Sequence, residues 1–179
     1  MRKLIPFFAM IVALISAVSL YGQDHGHVGH QAPMAQMDDD HRQLVNLPPR
    51  MREHVLANMR DHLKSISDIL AAMSTNQFLA AANIASTRLG MDSPAAQACN
   101  PARESNAPMM STTETMEEQM ARLVPGEMRS AGLEMHRAAS AFAEEARNAS
   151  RTGNAEAALV ALSRVTQRCA ACHSTFKML

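Results

Sequence analysis

From Pro49 onward the apolar residues of this chain recur at intervals of three and four, and that spacing restricts the fold more than any other feature. Such intervals align side chains along one stripe of an α-helix, whereas a half-buried strand needs strict alternation. Met51, Val55, Leu56, Met59, Leu63, Ile66, Ile69, Leu70 and Met73 form the first stripe. With Pro49 suited to a helix's first turn, they predict a helix over about 49–73. A shorter helix is predicted over about 77–89, with Phe78, Leu79, Ala82, Ile84 and Ala85 facing inward and Gly90 as its C-cap. Residues 91–110 carry Pro94, Pro101 and Pro108 and read as a loop. Ser and Thr ahead of Glu114 open a short helix over about 111–123, which Pro125-Gly126 breaks. Met128, Leu133, Met135, Ala139, Phe142 and Ala146 predict a long helix over 127–150. Thr152-Gly153-Asn154 then turns the chain. Asn154 caps a last helix over 155–176, whose inner face is Leu159, Leu162, Val165 and Phe176.

Composition agrees with a helical chain. Hydrophobic residues are 47 % of the 179, yet aromatics are only 3 % and Trp is absent, so the apolar content is Ala, Leu and Met. Those are strong helix formers and weak strand formers. Four main helices joined by mostly short turns predict an all-α fold, an antiparallel four-helix bundle, with 91–124 as the one long connection. The Met and Leu stripes are read as core. Lys+Arg and Asp+Glu are 17 each, for a formal net charge of zero, which argues against a nucleic-acid surface or a polybasic membrane patch.

The first 22 residues are expected to be a secretory signal peptide. Arg2 and Lys3 precede a nearly uninterrupted apolar run, Leu4 to Leu20, with Ala17, Ser19 and Gly22 offering cleavage sites. An uncleaved membrane anchor is the alternative, because the run is long for a signal and short for a span. Either way the remainder is expected outside the cytoplasm, in the periplasm. Residues 23–47 have no apolar periodicity and read as a disordered leader rich in His and Met, and residues 48–179 as the folded domain.

One motif carries chemistry. Arg168-Cys169-Ala170-Ala171-Cys172-His173 is a C-x-x-C-H pattern within the last helix. Residues three apart share a helical face, so two thiols there can each add across one haem vinyl group. His173 can then turn its imidazole to the iron as proximal ligand. Other uses of the pair fit less well. A zinc ribbon needs a second Cys pair, and Cys99 is the one cysteine left. A thioredoxin-like site needs a βαβ context, and a Cys169–Cys172 disulfide would be strained within a helix. The pattern therefore predicts one covalently attached haem c.

The stretch from Gly153 through Cys169-Ala-Ala-Cys172-His173-Ser-Thr-Phe176-Lys177 resembles the last helix of cytochrome c′ and its methionine-ligated relatives. There C-x-x-C-H lies near the end of a four-helix bundle, often followed by an aromatic and a basic residue, here Phe176 and Lys177. The resemblance covers about 48–179 and is specific at the haem motif alone. It implies that the first helix crosses the other haem face, with an Arg near the propionates and a covering or ligating residue one turn on. Met51 to Met59 is the matching segment, with Arg52 as the propionate Arg. The position one turn on is Leu56, which cannot bind iron. Two expectations follow. Leu56 caps a five-coordinate iron suited to small gases such as NO or CO, or Met59 binds iron and suits electron transfer. His54 and His62 are further ligand candidates, otherwise residues of a solvated helix face. The family also implies pairing of two copies through the first helix, and electron transfer implies a redox partner protein.

Other features admit other functions. His25, His27, His30 and His41, with Met34, Met37 and Asp38 to Asp40, would suit weak copper or zinc binding, as in an exported metal-binding or metal-sensing protein. Arg52 with His54 is the one sketch of a peroxidase-like distal pair. Cys99 reads as a free thiol, half of an intermolecular bridge or a partly buried residue. His136 reads as an ordinary surface or bundle histidine. Glu117-Glu118 and Glu144-Glu145 read as solvated faces. With no nucleophile triad, phosphate loop or specific carboxylate pair, the chain is expected not to be a substrate-converting enzyme.

Overall fold

The computed structural model describes residues 40–99 and 115–179, and in these the chain is all-α but for one pair of two-residue strands. In chain order the elements are β1 (Gln43–Leu44), α1 (Pro49–Ser74), α2 (Phe78–Ile84), α3 (Pro94–Ala98), α4 (Met116–Leu123), α5 (Gly126–Thr152), α6 (Glu156–Thr175) and β2 (Phe176–Lys177). The expected signal segment, most of the expected His/Met leader and residues 100–114 lie outside the described residues. No helix among the described residues is long and apolar enough to cross a membrane.

Four departures from expectation have local causes. The second helix does not stay α to its end: Ala85–Leu89 form a π turn, closed by Gly90 N–H donating to the Ala85 carbonyl at 2.6 Å. Gly90 follows with φ −76°, so it serves no left-handed cap. A Cβ there would lie 2.8 Å from Ser140 Oγ and 2.9 Å from the Ser86 carbonyl, so the position needs Gly for close approach. Within the expected 91–110 loop, Pro94–Ala98 form a helical turn capped by Ser93, whose hydroxyl accepts from Ala96 N–H. The helix expected from 111 starts at Met116. Thr115 caps it and Glu118 reaches back to the Thr115 N–H, a reciprocal capping box.

The fourth departure is at the start of the folded unit, which opens at Asp40 instead of Pro48. Gln43 and Leu44 pair in parallel with Phe176 and Lys177, Val45 N–H donates to the Lys177 carbonyl at 2.8 Å, and Val45 is buried. The segment before α1 is thereby tied to the end of α6. Residues this polar gave no periodicity to read, and the pairing is made by backbone groups.

The main core lies at the other end of α1. Ile69 and Met73, Phe78 of α2, Leu89, Phe142 of α5, and Leu162 and Val165 of α6 pack together. The α5–α6 contact is the broadest in the molecule and is built on alanines: Ala139, Ala143, Ala146 and Ala149 against Ala158 and Ala161, all buried. Small side chains there let two backbones approach closely, while Phe142 supplies bulk. Gly153, at φ +75°, ends α5 in the left-handed conformation and turns the chain into α6. Asn154 does not cap α6 by position, since Ala155 does, but its Oδ1 accepts from Glu156 N–H at 2.9 Å. Smaller clusters around Met51, Val55 and Met120, and around Val45, Met128 and Phe176, close the opposite end. Between the two ends lies a cavity.

Candidate haem site

The cavity is bounded by α1, α5 and α6, with residues of α3 and α4 at its edge, and encloses about 1190 Å³ counting its open mouth. Its walls are largely aliphatic side chains, with a few polar groups among them.

α6 delivers the motif to this space. Cys169, Cys172 and His173 all line it. The thiols are half-buried, and His173 is exposed at the mouth. Three-residue spacing puts both sulfurs on one face, where Cys169 packs against the main core and Cys172 against the Val45–Phe176 cluster. Neither is in a disulfide. Burial pushes both thiols up from their ordinary pKa, so they stand as neutral S–H groups at neutral pH. Among the described residues no cluster of three or more His, Cys, Asp or Glu is arranged to hold a metal ion.

α1 and α5 supply the facing wall. Met59 and His62 line the cavity from α1, one turn apart. His62 Nε2 is buried and has no hydrogen-bond partner among the described residues. An orphaned buried polar atom costs about 1–3 kcal/mol, so it signals a missing partner. The His62 ring stands edge-to-face on His136 of α5, centroids 5.7 Å apart at 85°. His136 is 1 % exposed. Its Nδ1–H donates to the Leu89 carbonyl at 2.6 Å, which satisfies an acceptor at the end of the π turn. Burial lowers the pKa of both rings, His62 to about 4, so both are neutral at pH 7.

The other expected residues fall elsewhere. Arg52 does not line the cavity; its guanidinium donates to the carbonyl of Leu179. Leu56 is 36 % exposed and outside the lining. His54 is also outside it, so the Arg52–His54 pair does not form a distal site in this cavity. The arginines that do line it are Arg129, buried on α5, and Arg168 on α6. Cys99, at the C-cap of α3, lines it as well, and burial pushes its thiol up to about 11.

Motif reading found the α6 group and, in Met59, one residue of the facing wall. It read His136 as an ordinary surface or bundle histidine, and held His62 as a ligand candidate or else a residue of a solvated face. The available signal was the α1 stripe itself: His62 falls three residues after Met59 and four before Ile66, in phase with its apolar positions.

The residues fit a covalently held haem. Two unbonded thiols and an imidazole meet at one largely apolar cavity, and among its lining residues His62 has a buried imidazole nitrogen without a hydrogen-bond partner among the described residues. No family model, no curated protein and no solved structure matches this chain.

Proposed function

We propose that this chain is an exported monohaem c-type cytochrome that transfers single electrons and is not a substrate-converting enzyme. The observation that carries the reading is the convergence of Cys169, Cys172 and His173 on one largely apolar cavity. In this reading the two thiols hold haem c through thioether bonds and His173 is the proximal ligand. When bound, the haem supplies a one-electron iron couple tuned by its axial ligands and burial. The chain's own contributions are more specific. Leu89, Val165 and Met135 keep water from the inner part of the cavity. Arg129 and Arg168 are cationic partners for the propionates, in the role the sequence suggested for Arg52.

Electron transfer is favoured over gas binding by the wall opposite α6. The gas-binding expectation needs Leu56 over the iron, whereas two residues able to ligate, Met59 and His62, line the cavity. Export rests on the charged and apolar N-terminal segment. Copper or zinc binding by the leader is a separate proposal resting on its His and Met content.

The four-helix-bundle reading takes α1, α2 with its π turn, α5 and α6 as the staves. Its support is that α1 packs on α2, α2 on α5 and α5 on α6, each in chain order. Pairing of copies through α1 is supported by Leu56, Leu63 and Leu70, exposed apolar residues spaced by seven. Sedimentation analysis of wild type and Leu70→Glu tests the pairing, with dimer expected to give way to monomer.

The function is tested by expression with c-type haem maturation. The denatured chain should retain haem, and Cys169→Ala/Cys172→Ala should lose it. A wild-type chain that releases all haem in denaturant, or carries none, refutes the reading.

A further inference from the structure

The cavity contains one polar atom whose position ordinary packing does not explain. His62 Nε2 is buried and without a hydrogen-bond partner among the described residues, and His62 lines the same cavity as the α6 motif residues. A histidine placed for packing alone would turn its nitrogens to a carbonyl or to water, as His136 does with the Leu89 carbonyl. His62 Nε2 has no carbonyl or other protein partner among the described residues. The edge-to-face contact with His136 fixes its ring plane, and His136 is itself anchored by a 2.6 Å hydrogen bond. The result is an imidazole in ring contact with His136 whose Nε2 is buried without a hydrogen-bond partner among the described residues.

Met59 is the competing residue, and its surroundings differ. Its side chain packs into the clusters that close the lower end of the molecule, beside Met51, Val55 and Met120 and beside Phe176 and Cys172. Those contacts account for Met59 as a core residue. Nothing comparable accounts for His62 Nε2.

We propose that His62 would be the second protein ligand of the haem iron, through Nε2, together with His173, with Met59 left as packing. The assignment rests on the haem reading given above and goes beyond it by naming the ligand and hence the class of site: a bis-histidine, six-coordinate, low-spin centre closed to gases. With Nε2 on iron the ring proton sits on Nδ1. A bis-imidazole site lacks the thioether that favours ferrous iron, so its potential lies below that of a His/Met site.

The experiment uses full-length chain matured with haem, and compares wild type, His62→Ala, His62→Met and Met59→Leu. Electron paramagnetic resonance and visible spectra are recorded with and without CO and with added imidazole. Wild type should be low-spin, show no methionine–iron charge-transfer band and bind no CO. His62→Ala should become high-spin and bind CO, and exogenous imidazole should restore the low-spin spectrum. His62→Met should remain folded with a ligating side chain and gain the charge-transfer band. Met59→Leu should leave the wild-type spectrum unchanged. A low-spin spectrum indifferent to His62→Ala, a wild-type methionine–iron band, or a high-spin wild type overturns the assignment while leaving the cytochrome reading intact. Absence of thioether-linked haem from wild type overturns both, so the two failures are separable.

Discussion

Gly132 lies in α5 against Cys99, and substituting it should reveal how tightly the cavity edge is packed. A Cβ at Gly132 would sit 2.6 Å from Cys99 Sγ, whereas ordinary contact begins at 3.4 Å, so the sulfur must move by 3.4 − 2.6 = 0.8 Å. Cys99 is largely buried at the end of α3, and Cβ contact at 3.8 Å limits how its side chain can swing away. Overpacking of this kind costs about 1–3 kcal/mol. Against it stands the helix-propensity gain of Gly→Ala in a helix interior, about 1 kcal/mol. Gly132→Ala should therefore be neutral to about 2 kcal/mol destabilising. In a Cys99→Ala background the sulfur is gone, and the same substitution should become stabilising by up to about 1 kcal/mol. The coupling between the two sites is the overpacking term, about 1–3 kcal/mol. Urea unfolding of the four proteins followed by far-ultraviolet circular dichroism, compared at equal m-value, measures it. Additivity of the two substitutions to within about 0.5 kcal/mol would show that Cys99 does not press on Gly132.

Other consequences can be checked in the same protein. Phe142 is fully buried in the alanine-lined α5–α6 contact, so Phe142→Ala should cost about 3–5 kcal/mol; a loss under about 1 kcal/mol in urea unfolding would contradict that packing. Burial pushes the Cys99 thiol up to about 11, so one cysteine should resist iodoacetamide at pH 8 in the folded protein and react fully in denaturant; labelling at the rate of a free thiol would refute this. His62 and His136 have folded pKa values below that of an unfolded histidine, so the unfolded chain binds more protons below about pH 6.5. Their contribution is full above about pH 6.5 and is lost as the pH falls toward about 4, the folded value for His62, with that residue accounting for at most about 3 kcal/mol. Iron ligation would act with the same sign. Unfolding free energy that is flat between pH 7 and pH 5 is the contrary result.

Periodicity carried most of the helical fold. α1, α5 and α6 lie within about two residues of expectation because each buries a continuous stripe. The details it missed are made by backbone groups or by single contacts. The π turn at Ala85–Leu89 leaves no mark in an apolar pattern, and the pairing of Gln43 and Leu44 with the chain's end joins segments more than 130 residues apart. At the site, the C-x-x-C-H spacing named the α6 half because the chemistry itself is local. The facing half is not local. Leu56 and Met59 are both on the α1 stripe, and only packing separates them, with Leu56 turned outward and Met59 lining the cavity. His62 shares that stripe but is a polar residue. The sequence offered it beside His54 as a ligand candidate; its contact with His136 and its buried, unpartnered nitrogen are visible only in the packed structure.

Mass spectrometry of the C-terminal proteolytic peptide spanning Arg168 to His173, taken from chain matured in a cell that attaches c-type haem, tests the covalent link most directly. The cytochrome reading predicts that this peptide carries the added mass of one haem on Cys169 and Cys172 and that Cys99 remains an unmodified thiol. Recovery of the peptide with two free thiols, or with a Cys169–Cys172 disulfide, would contradict it.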